Sequence, residues 1–106
     1  MKLSQTEQRA LMASVLREVL EIGRANPGSN VYYDGLILKK GISDCIDGDV
    51  ALGGAYTILD AYAYQLFHGE VDYPMDKLTS AMEKAAAALE KNESVDWKSL
   101  LGEKSA

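Results

Sequence analysis

Asp49-Val50-Ala51-Leu52-Gly53-Gly54-Ala55-Tyr56-Thr57-Ile58-Leu59-Asp60-Ala61-Tyr62-Ala63-Tyr64-Gln65-Leu66-Phe67-His68 is the stretch on which the fold turns. Leu52, Ala55, Leu59, Tyr62, Ala63 and Leu66 recur at three- and four-residue spacing, and Ile58 and Phe67 widen that face. Asp47 or Asp49 can accept the first free amides, and its charge suits the positive end of a helix dipole. The pattern predicts a helix over residues 49–68. At about 1.5 Å per residue it spans roughly 28 Å, enough to cross a small domain and to be its most buried element. The small residues Gly53, Gly54, Ala61 and Ala63 would let a second backbone come close.

Upstream, Ser4-Gln5-Thr6-Glu7 has the form of a capping box, followed by Leu11, Met12, Val15, Leu16, Val19, Leu20 and Ile22 at helical spacing. A first helix over 4–25 follows, stopped by Asn26-Pro27-Gly28. Residues 31–38, Val-Tyr-Tyr-Asp-Gly-Leu-Ile-Leu, leave two readings open. Asp34-Gly35 between β-prone triplets is the signal of a two-residue hairpin, which would need to pack on helices to persist. The alternative is a short helix begun by Ser29 or Asn30, in which Gly35 costs about 1 kcal/mol relative to alanine.

Downstream, Pro74 suits a first helical turn, and Leu78, Met82, Ala85 and Leu89 make a seam in a third helix over 74–92. The block Ala85-Ala86-Ala87-Ala88 adds helix propensity but little side chain to bury. Ser94 can cap a final turn carrying Trp97, Leu100 and Leu101. The expected fold is an all-α or mainly α single domain over 1–106: a bundle of three main helices plus a short C-terminal one, with or without one small β-hairpin.

Charge is distributed unevenly. The chain of 106 residues carries a formal net charge of −5. It is net positive through Lys40, whereas Gly41 to Asp76 contains no lysine or arginine and holds Asp44, Asp47, Asp49, Asp60, Glu70, Asp72 and Asp76. Nucleic acid is not the expected partner, because phosphate binding needs clustered basic residues and only Lys39-Lys40 stand together. An electropositive protein surface is.

The single cysteine, Cys45, excludes an intramolecular disulfide and a cysteine-rich zinc site, and the acids around it would raise its pKa. Asp44, Asp47 and Asp49 lack the alternate spacing and the distal glutamate of an EF-hand, so turn and cap roles are expected and no metal. The opening residues carry no apolar signal core, and the 50–67 run is short for a bilayer and interrupted by Gly53, Gly54 and Asp60. The expectation is a soluble, cytoplasmic chain without a cofactor.

Tyr56, Asp60 and Tyr64 stand four apart and form one stripe on a helix, continued by Phe67 and His68. Aromatic rings around a carboxylate make a recognition surface, since tyrosine buries much area at small entropic cost. Asp44, Asp47, Asp49, Glu70 and Asp72 extend the acidic candidate set. Against this stands the plainer role of a solvated helix face. Asp60 and His68 do not compose a catalytic arrangement, as no nucleophile is placed with them, so an enzyme is not expected. Two functions remain: a small acidic module that occludes a partner's basic surface, as an inhibitor, immunity or host-takeover protein does, or a homo-oligomer, such as a homodimer, packed through helix 49–68.

Overall fold

Ser4 begins the chain's first helix by the reciprocal bonding its sequence signals: its hydroxyl accepts the Glu7 amide at 3.1 Å, and Glu7 accepts the Ser4 amide at 3.0 Å. In the computed structural model, which describes residues 3–42 and 49–104, α1 runs Gln5–Ala25. It is followed by α2 Tyr33–Lys39, α3 Val50–His68, α4 Met75–Glu90 and α5 Trp97–Leu101, and no strand occurs among the described residues. The all-α reading holds. No helix among the described residues is long and apolar enough to cross a membrane.

The hairpin alternative at 31–38 is overturned, because Tyr33, Leu36 and Ile37 follow helical spacing and turn one face inward. Ile37 is buried, and Tyr33 and Leu36 pack against the core. The helix starts at Tyr33, later than Ser29 or Asn30. Gly35 makes room for it: a Cβ there would lie 2.6 Å from the Tyr32 ring. The end is a Schellman turn, in which Gly41 takes φ +83 and the amides of Gly41 and Ile42 bond the carbonyls of Leu38 and Ile37. Ile42 is thereby delivered to the core.

Helix α4 is the element shared by the two long helices, packing on α1 most extensively and on α3 next. The alanines of α4 explain how. Ala81, Ala85 and Ala86 are fully buried beside Leu78, Met82 and Leu89, so their small size lets both neighbours approach one helix. These alanines serve burial as much as propensity. Helix α3 is nonetheless buried along most of its length, including Leu52, Ile58, Leu59 and Tyr62.

Arg9 ties three helices together. Its guanidinium donates to both oxygens of Asp49, at 2.8 and 3.0 Å, and to Oδ1 of Asn92 at 2.7 Å. Asp49 caps α3 by accepting from the amides of Ala51 and Leu52, while Asn92, at φ 58, ends α4. The C-terminal segment then crosses α3 at Gly54, where a Cβ would meet the Val95 carbonyl at 2.4 Å. Helix α5 is capped by Asp96, which accepts the Ser99 amide, rather than by Ser94.

Candidate functional site

Asp60 and Tyr64, one turn apart on α3, form a ridge between two grooves. The larger groove encloses about 420 Å³ and is walled on its far side by Tyr73, Trp97, Leu101 and Lys104. The smaller holds about 220 Å³ and is walled by Val31, Tyr33, Phe67 and His68. Tyr64 is 53% exposed at the crest, and its ring lies 4.3 Å from that of His68, which in turn meets Phe67 at 4.9 Å. Three aromatic rings thus continue the ridge to the end of α3.

The position of the larger groove's rim is fixed by Gln65, a buried polar residue whose side chain bonds the 69–74 loop through both its oxygen and its nitrogen. Its Oε1 accepts the amides of Asp72 and Tyr73 at 2.8 Å each, and its Nε2 donates to the Tyr73 carbonyl. A loop held this way cannot drift without exposing unpaired backbone. Asp72 is therefore presented at the groove, where Lys104 approaches it at 3.6 Å.

On the other side, two tyrosine-to-aspartate bonds tie α2 to α3. Tyr33 donates its hydroxyl to Asp60, and Tyr56 donates to Asp34 at 2.9 Å, with the two rings edge to face at 5.8 Å. Burial first, and the adjoining carboxylate second, push both phenols above their ordinary pKa, so both remain protonated donors near neutral pH. A neutral donor leaves the carboxylate its charge. Among the described residues neither Asp34 nor Asp60 has an ion-pair partner.

The candidate residues separate accordingly. Tyr56, Asp60 and Tyr64 do share one side of α3, although Tyr56 is half-buried and its hydroxyl is committed to Asp34. Asp72 joins the larger groove. Glu70 lies on the adjoining loop, where it accepts the first amide of α4 from Met75 at 2.7 Å. Asp49 leaves the candidate surface, since it is only 6% exposed and its carboxylate is bonded to Arg9 and to the start of α3. Burial raises its pKa, but Arg9 and the Ala51 and Leu52 amides outweigh that and hold it below the usual carboxylate range. Asp44 and Asp47, with Cys45, lie outside the described residues.

Tyr33, Asp34, Trp97 and Lys104 also belong to the site, beyond the residues the sequence pattern points to. No local pattern marks them: they reach α3 only through contacts distant in sequence, such as the 27-residue separation of Tyr33 and Asp60. Compared with protein families, with curated proteins and with solved structures, the chain matches none.

Proposed function

We propose that this chain is a small acidic binding module, not an enzyme, that occludes a basic surface of a partner protein in the cytoplasm, in the manner of an inhibitor, immunity or host-takeover protein. The observation that carries the reading is the Asp60–Tyr64 ridge. An exposed ring and a carboxylate that, like Asp34, has no ion-pair partner among the described residues stand between two grooves. Charge of this kind accelerates encounter with a positive surface, and rings seated beside grooves slow dissociation. The homo-oligomer reading draws less support, because Gly54 is taken up by Val95 and Ala63 is buried within the chain.

The test is to compare capture by wild type with capture by Asp60→Lys and Tyr64→Ala at low and moderate salt, each variant first shown folded by circular dichroism. A specific partner held by wild type, released by either variant and weakened by salt supports the reading. Equal capture by all three chains removes it. Tyr56→Ala is the poorer choice, since it also unties α2 through Asp34.

A further inference from the structure

The larger groove carries an observation that the ridge alone does not: a cation of the chain itself already sits at its rim. Lys104 lies 3.6 Å from Asp72, and both line the same groove as Asp60, Tyr64, Trp97 and Leu101. The ammonium is held loosely, with 66% of its side chain exposed and 43% of that of Asp72. Nothing in that exposed contact fixes Lys104 in place, and a better-fitting cation would displace it at little cost.

We infer that this groove seats an arginine side chain of the partner between Asp60 and Asp72, at the place whose rim Lys104 occupies in the free chain. This rests on the proposed binding of a basic partner and specifies the groove, the residue and the competitor. Arginine fits this groove better than lysine for two reasons. The walls include the rings of Tyr64 and Trp97, on which a planar guanidinium stacks, and the groove is lined by the carboxylates of Asp60 and Asp72, to which a guanidinium presents a planar fork of donors where an ammonium is a compact point charge. Asp60 retains capacity, because Tyr33 donates to its Oδ1 alone. The apolar wall at Leu101 and Ala61 then suits an aliphatic neighbour of that arginine. Lys104 acts as a tethered competitor that sets the threshold for binding.

Trp97 is the chain's only tryptophan and lines the groove, so its fluorescence reports occupancy directly. The probe is the capped dipeptide acetyl-Leu-Arg-amide, with acetyl-Leu-Lys-amide and the neutral isostere acetyl-Leu-citrulline-amide as comparisons, titrated into the full chain at fixed ionic strength. The expected result is a saturable change with the arginine peptide, a weaker one with lysine and none with citrulline. Lys104→Ala should tighten the arginine peptide about threefold, as for release of an exposed ion pair. Asp60→Asn, which keeps an acceptor for Tyr33, should weaken it about tenfold. A citrulline response equal to that of arginine, an absent response, no tightening by Lys104→Ala, or no weakening by Asp60→Asn overturns the inference. The two readings fail separately. If Trp97 is silent while Asp60→Lys still releases the captured partner, the groove assignment falls and the ridge stands; if Asp60→Lys releases nothing, the ridge falls, whatever the peptides do.

Discussion

The α1–α4 seam and the α2–α3 face settle their carboxylates in opposite ways. Along the seam, Arg17 pairs with Glu90 through two bonds, at 2.6 and 2.8 Å, and Arg24 pairs with Glu83, while at the seam's end Arg9 holds Asp49 at the start of α3. On the other face Asp34 and Asp60 accept from tyrosines. Both arrangements satisfy hydrogen bonding, but only the first cancels charge. A hydroxyl donor fixes an aspartate in position while leaving its field open to a partner, which is what a recognition surface needs and a packing seam does not.

The largest effect should come where the seam meets the core. Asp49→Ala removes both a helix cap and the partner of a half-buried guanidinium, and should cost about 3 kcal/mol in urea unfolding. A loss below about 1 kcal/mol would show that Arg9 and α3 find other partners. The pH dependence has a definite sign. Because the folded carboxyl titrates below its unfolded value, its contribution is complete above the unfolded pKa and disappears as pH falls through the folded one. The stability gap between wild type and Asp49→Asn should therefore be full at neutral pH and close below about pH 4.

Next in size is Gly54→Ala, for which the added carbon would have to push the Val95 backbone away; a loss of about 1–3 kcal/mol is expected. An unchanged melt would mean that the C-terminal segment moves aside freely. Tyr33→Phe should cost about 1 kcal/mol, the worth of one hydrogen bond, and should raise amide exchange in α2 more than in α4. Uniform exchange changes would show that the tyrosine does not act as a local tie. Smallest of all, Glu90→Ala should barely move the unfolding midpoint, since its pair with Arg17 is open to solvent.

Much of this fold is legible locally. Ser4 and Glu7 announce α1, and Asp49 announces α3, because capping is a matter of three or four adjacent residues. Helix α2 is ambiguous in sequence because Asp34-Gly35 satisfies hairpin chemistry as well as helix chemistry. Lys39-Lys40-Gly41-Ile42 held the deciding signal, a basic last turn before a left-handed glycine and an apolar residue. The stripe on α3 follows from its period of four. Most of its surroundings do not, because Tyr33, Trp97 and Lys104 reach Asp60 and Tyr64 through tertiary packing that periodicity does not encode. Asp49 misled for the same reason: in sequence it belongs to an acidic run, whereas in space it faces Arg9, 40 residues away.

The contrast between the two faces is tested most directly by moving the same charge change from one to the other. Quantitative capture from cell extract is compared for wild type, Asp60→Lys and Glu90→Lys at matched salt, with folding of each checked by circular dichroism. The account predicts a partner retained by wild type and Glu90→Lys and lost by Asp60→Lys. Retention by all three, or loss through Glu90→Lys with Asp60→Lys unaffected, would contradict it.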